Sequence, residues 1–83
     1  MVIIDEVKQV LGETLQLGAR VEAFSSETPL FGAIAEFDSL AVVTVVNALE
    51  ERFDIFVEDD EIEADVFATI GSLADFVRQK LEA

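Results

Sequence analysis

Residues 38–54 read Asp38-Ser39-Leu40-Ala41-Val42-Val43-Thr44-Val45-Val46-Asn47-Ala48-Leu49-Glu50-Glu51-Arg52-Phe53-Asp54. This stretch decides the fold, because its valine-rich centre suits two conformations. Leu40 to Val46 could be a strand, since β-branched side chains favour extended backbone. The flanks decide for helix. Asp38-Ser39 is a helix-start signal, and Ala48-Leu49-Glu50-Glu51 continues with good helix formers. The expected helix spans residues 39–53, with Leu40, Val43, Val46 or Val45, Leu49 and Phe53 able to face inward.

Ahead of it, residues 19–38 show no clear period and contain the punctuators Ser25-Ser26, Pro29 and Gly32. A loop this long in a compact domain carries function or short structure of its own. Phe24, Leu30, Phe31, Ile34 and Phe37 make it apolar enough that several should pack on the core. Upstream, residues 2–17 predict an amphipathic helix. Ile4, Val7, Leu11 and Leu15 form one stripe with Ile3 and Val10 beside it, and Gly18 is a plausible stop. Downstream, residues 54–58 connect to an acidic start, Asp59-Asp60-Glu61, of a short helix burying Ile62 and Val66 or Phe67. Thr69 then caps a last helix over residues 70–82, with Ile70, Leu73, Phe76, Val77 and Leu81 inward and the cations Arg78 and Lys80 near its C-terminus. The expected fold is all-α: one domain over residues 1–83, a four-helix bundle of three longer helices and one short one, with a long loop between the first two.

Charge and composition exclude several functions. The net charge is −13, and Arg52 is the only basic residue between Glu22 and Asp75. Nucleic acid needs a basic footprint, and an anionic membrane repels such a surface. Proteins with basic patches are the fitting partners. The longest near-apolar run, Leu40 to Val46, is too short to insert into a membrane, and the N-terminal residues lack a signal-peptide pattern, so a cytoplasmic location is expected. Cysteine and histidine are both absent. No thiolate metal site or disulfide can form, and a serine nucleophile has no imidazole base. Lys8 and Lys80 lie in the first and last helices, so no catalytic set is visible and the chain reads as a non-enzyme. Asp59, Asp60, Glu61, Glu63 and Asp65 form no EF-hand loop, so no dedicated metal site is expected, only weak cation binding that relieves repulsion. The same repulsion predicts a melting temperature that rises from dilute buffer to moderate salt; a flat response would contradict it.

The segment Glu36-Phe37-Asp38-Ser39-Leu40 follows the long loop and opens a helix. Here the sequence resembles the acyl carrier proteins, whose modified serine lies in Asp-Ser-Leu at the start of the second helix. The resemblance continues through Leu49-Glu50-Glu51-Arg52-Phe53-Asp54, the acidic Asp59-Asp60-Glu61, and Thr69-Ile70-Gly71-Ser72-Leu73, in the family's order. It covers roughly residues 36–81. Each piece is weak; their order and spacing together are specific. The family's placement has a physical reason. The 4′-phosphopantetheine arm is joined through an anionic phosphodiester, and a helix N-terminus offers unpaired N–H groups to an anion.

The resemblance implies a carrier-protein bundle and a covalent 4′-phosphopantetheine on Ser39. A phosphopantetheinyl transferase would install it, Asp38 would face the transferase, and Leu40 would anchor the motif. Acyl-transferring or acyl-activating enzymes with basic docking patches would meet Glu36, Ala41, Thr44, Glu50 and Glu51. Val46, Leu49, Val57, Ile62 and Phe67 would line an acyl pocket. The expected state is a monomer serving lipid, fatty-acid or related biosynthesis. Ala41 and Thr44 stand where many fatty-acid-synthesis carriers have acids, which favours a specialised carrier with its own partners. The pattern is similar to that of carriers encoded with exosortase-type envelope or exopolysaccharide systems. Two other readings stay open: an unmodified acidic interaction module in which Ser39 is only an N-cap, and a peptidyl or aminoacyl carrier, although Glu36-Phe37 stands where those often have Gly-Gly.

Overall fold

The computed structural model describes residues 2–31, 34 and 37–82. Three α-helices dominate: α1 over Ile3–Thr14, α2 over Ser39–Phe53 and α3 over Ile70–Glu82. Two short 3-10 segments, Gly18–Ala23 and Asp59–Glu61, interrupt the connections. The architecture is the expected all-helical bundle, its short fourth helix reduced to the Asp59–Glu61 turn. Among the described residues the only extended pairing is an isolated bridge between Pro29 and Thr69.

Helix α1 ends at Thr14, short of the expected Leu17, because the chain reverses at Gln16. Gln16 takes the left-handed conformation (φ 58°), and the Leu17 N–H turns back to the Gly12 carbonyl at 2.9 Å. That backbone pattern normally selects glycine. Glycine comes two residues later, at Gly18 (φ 60°), where it opens the 3-10 segment.

Helix α2 has the expected bounds but a different phase. Ala41, Val45, Val46, Leu49 and Phe53 are buried, whereas Leu40 and Val43 are 75% and 52% exposed. The run from Leu40 to Val46 carries only Thr44 to mark an outer face, so sequence spacing alone left the rotation open. The structure turns the small Ala41 inward.

The core joins helices and loops. Val7, Val10 and Leu11 of α1 meet Val45 and Leu49 of α2 and Ile70, Leu73 and Val77 of α3, with Leu17, Leu30, Ile34, Phe37, Val57 and Phe67 supplied by the connections. The long loop therefore packs on the core, as its apolar residues predict. Phe37 bridges the exposed Phe31 (ring centroids 4.8 Å apart) and the buried Phe67 (5.8 Å). At the C-terminal end of α2, Arg52 reaches α1. Its guanidinium contacts Glu6 Oε1 at 2.7 Å and donates to Gln9 Oε1 at 2.8 Å, fixing the two helices' register.

The loop also caps α3. Thr69 Oγ1 accepts from the Ser72 N–H at 3.0 Å, and Ser72 Oγ accepts from the Thr69 N–H at 3.0 Å, a reciprocal cap. The next orphan donors find loop carbonyls: Ile70 N–H binds Thr28 O at 3.0 Å, and Gly71 N–H binds Ser26 O at 2.8 Å. Gly71 is glycine for steric reasons, since a Cβ there would lie 2.8 Å from the Ser26 carbonyl oxygen. Gly71→Ala must push the loop off α3, at an expected cost of about 1–3 kcal/mol. Urea unfolding checks this: the midpoint falls, and an unchanged midpoint would contradict the close approach.

Candidate functional site

Asp38 and Ser39 divide the work at the start of α2. Asp38 has extended backbone and is the N-cap; its Oδ1 accepts the Ala41 N–H at 2.9 Å. Ser39 is the first helical residue. Its side chain is exposed, and its hydroxyl has no hydrogen-bond partner among the described residues. The N-cap is therefore Asp38 and not Ser39, which leaves the Ser39 hydroxyl exposed at the first helical position. A nucleophilic oxygen at a helix N-terminus suits a phosphorylated modification, because the helix dipole favours an anion there.

Leu40 follows on the exposed side, so it contacts solvent and does not anchor the motif inward as expected. The outer face of α2 comprises Leu40, Val43, Thr44, Asn47 and Glu51. Thr44 is exposed and donates from Oγ1 to the Leu40 carbonyl at 3.1 Å. Ala41 does not belong to this face. It is 6% exposed and packs in the core, so its assignment as a partner-contact residue is corrected. Glu36 lies outside the described residues. Glu51 is exposed, but Glu50 is half-buried and its Oε2 accepts the Val57 N–H at 2.8 Å. Glu50 thus ties α2 to the following connection, a role invisible without knowing that Val57 folds back.

Beside this face, α2 and the connection enclose a groove of about 470 Å³. Val46, Val57 and Ile62, three of the residues assigned to a pocket from sequence, line it. Leu49 and Phe67 do not; both are 2% exposed and sit in the core. Sequence reasoning missed Val43 and Phe56, which line the groove and stay 52% and 69% exposed. Phe56 had a readable signal: a large apolar residue in a short connection, with no helical stripe to join. A larger groove of about 680 Å³ opens beside Ile3, Ile4, Ser26 and the first turns of α3, and it contains none of the expected site residues.

The acidic connection is held by specific bonds. The Glu61 carboxylate receives Lys80 Nζ at 2.8 and 2.9 Å and the Glu58 N–H at 3.0 Å. These bonds, the Lys80 one first, hold the Glu61 carboxyl below its ordinary value of 4.5. A carboxylate with a depressed folded value contributes stability that is complete above its unfolded value and lost as pH falls through the folded one. The stability difference between the wild type and Lys80→Met should therefore stay constant from neutral pH to about 4.5, then shrink on further acidification, as followed by urea titration. Growth of the difference at low pH would contradict this. Among the described residues no three acids converge to hold a metal ion.

A family model described as "Phosphopantetheine attachment site" matches residues 3–77. The acyl carrier protein of Sulfurovum sp. is 41% identical over 78 residues, covering 93% of this chain and 96% of that protein. The acyl carrier protein of Wolinella succinogenes is 36% identical over 77 residues, covering 93% and 95%. The solution NMR structure of a holo acyl carrier protein from Nitrosomonas europaea superposes with a TM-score of 0.92 at 48% identity, covering 100% of both chains.

Proposed function

Because the chain belongs to the acyl carrier protein family and is a phosphopantetheine-bearing acyl carrier, we propose that Ser39 is the residue that carries its arm. The observation that supports this is the division of labour at α2: Asp38 caps the helix, and the Ser39 hydroxyl stands exposed. The residues present fit the group. A phosphodiester on Ser39 Oγ would extend into solvent next to the N–H groups and positive dipole of α2. In the loading step, Ser39 Oγ bonds to the phosphorus of the coenzyme A pyrophosphate that bears the pantetheine. The bond from that phosphorus to the nucleotide breaks, and the hydroxyl proton leaves to a base of the transferase. When bound, the arm supplies the thiol that this cysteine-free chain lacks, and so the thioester.

The chain's own residues then present and shelter the cargo. The outer face of α2, with Leu40, Val43, Thr44 and Glu51, forms the docking surface for enzymes that reach the arm. The groove lined by Val46, Val57 and Ile62 receives the acyl chain. Partners carry a phosphopantetheinyl transferase activity or acyl-transferring and acyl-activating activities, with basic groups that match the net charge of −13. The uncharged stretch from Ser39 to Leu49 suits a specialised carrier more than a general one, because its partners must find affinity in apolar contact. No described helix is long and apolar enough to cross a membrane. Work in the cytoplasm, as a single domain without catalysis of its own, completes the reading.

The test is acyl carriage. Protein bearing the arm is loaded with a radiolabelled acyl group and treated with neutral hydroxylamine, which cleaves thioesters and spares oxygen esters. Release of the label is the expected result. Hydroxylamine-resistant label would overturn the thioester reading.

A further inference from the structure

The wall of the groove that faces α2 is not itself α-helical. Val57, Glu58, Asp59 and Ile62 line that wall, and between α2 and α3 the only regular element among the described residues is the 3-10 turn Asp59–Glu61. A segment with so few backbone hydrogen bonds opens locally at lower free energy than the flanking helices. Three polar ties oppose opening. Glu50 binds the Val57 N–H at 2.8 Å, and Glu61 binds the Glu58 N–H at 3.0 Å. The third tie alone reaches across to α3: both Glu61 oxygens bind Lys80 Nζ, at 2.8 and 2.9 Å.

This pair differs from the other ion pair on α3. The Lys80 and Glu61 side chains are 23% and 29% exposed, whereas Arg78 and Asp75 are 56% and 62% exposed and lie three residues apart on one helix. A long-range, partly sheltered pair restrains a segment; an exposed local pair restrains little. Lys80 also sits in the last turn of α3, so its helix holds the cation in place. The pair therefore joins a regular helix to a segment with few backbone hydrogen bonds of its own.

We propose that Lys80 and Glu61 are positioning residues for the cargo groove: by pinning the Val57–Ile62 wall to α3 they set its width and the time a long acyl chain stays sheltered in it. The inference rests on the acyl-carrier reading above. A short cargo that never enters the groove does not sense the pair. A long cargo does, because its water-excluded state depends on the wall staying closed. Lys80→Met and Glu61→Gln should leave α1 and the Ser39 junction untouched, since the polar partners of both side chains lie elsewhere.

The experiment compares wild type, Lys80→Met, Glu61→Gln and the charge-reversed pair Lys80→Glu with Glu61→Lys, each carrying the arm loaded with either an acetyl or an octanoyl group. Thioester hydrolysis is followed by mass spectrometry, and amide exchange at residues 57–62 is followed on the unloaded chains. Each single variant should hydrolyse octanoyl faster relative to acetyl, by about fivefold, and raise exchange at 57–62 similarly without changing α1, as the loss of one partly screened pair allows. The reversed pair should return both readouts toward wild type. A purely structural pair would lower overall stability yet leave the octanoyl-to-acetyl ratio unchanged, and that result would overturn the inference. A wild type that accepts no arm at all would instead overturn the carrier reading, and the cargo role with it. The exchange data would distinguish the two failures, because they test the wall itself.

Discussion

Ser39→Ala should abolish attachment of the arm. A phosphopantetheinyl transferase, coenzyme A and Mg²⁺ add one arm to the wild type and nothing to the variant. The loss is complete because the reaction needs an oxygen nucleophile at this position. The neighbouring hydroxyl on α2, Thr44, lies a full turn further along and donates to the Leu40 carbonyl. The substitution should barely affect stability. Ser39 is exposed, makes no side-chain hydrogen bond among the described residues, and does not cap the helix. Alanine is also a better helix former. A folded, unlabelled variant is therefore expected, with circular dichroism like that of the wild type. Labelling that persists in Ser39→Ala would move the site elsewhere.

Leu30→Ala should be among the most damaging truncations outside the helices. Leu30 is fully buried although it lies in the loop between α1 and α2. Its backbone is tied to the other long connection, with its N–H bound to the Ala68 carbonyl at 3.2 Å, next to the Pro29–Thr69 bridge. Truncation removes a full leucine side chain from a site that the two loops cannot easily close, at an expected cost of about 2–5 kcal/mol. A domain of 83 residues has roughly 4–12 kcal/mol in total, so the variant should lose a large fraction of its stability. The loss should show in the urea midpoint and in faster amide exchange at Ile70 and Gly71, whose N–H groups the same loop covers. A loss below about 1 kcal/mol would mean that the loop is peripheral and that the core lies within the helices alone.

The elements that could be read from sequence were those with local punctuation. Helix α2 was legible at both ends because Asp38 caps it and Asp54 ends it in a left-handed turn. Helix α3 was legible at its start because Thr69 and Ser72 cap each other over three residues. The end of α1 was misplaced because Gln16 adopts the conformation that glycine usually marks. The phase of α2 was hidden by its valine run, which has too few polar residues to distinguish inside from outside. Ala41 was placed on the docking face by the family resemblance, and the structure buries it in the core. Ser39 was visible as part of a motif, and its freedom from capping duty was not, since that depends on the Asp38 rotamer. The groove was half visible. Val46, Val57 and Ile62 have the right chemistry and spacing, whereas Val43 and Phe56 join it only once the acidic connection folds back. The ties that fold it back link Glu50 with Val57 and Glu61 with Lys80, and no sequence period marks such pairs.

The most direct test of the central claim is intact mass spectrometry of the wild-type chain after incubation with coenzyme A, Mg²⁺ and a broad-specificity phosphopantetheinyl transferase, followed by fragmentation. The account predicts a mass gain of one phosphopantetheine arm, found on the fragment containing Ser39. A folded helical chain that gains no arm, or gains it on any other residue, would contradict it.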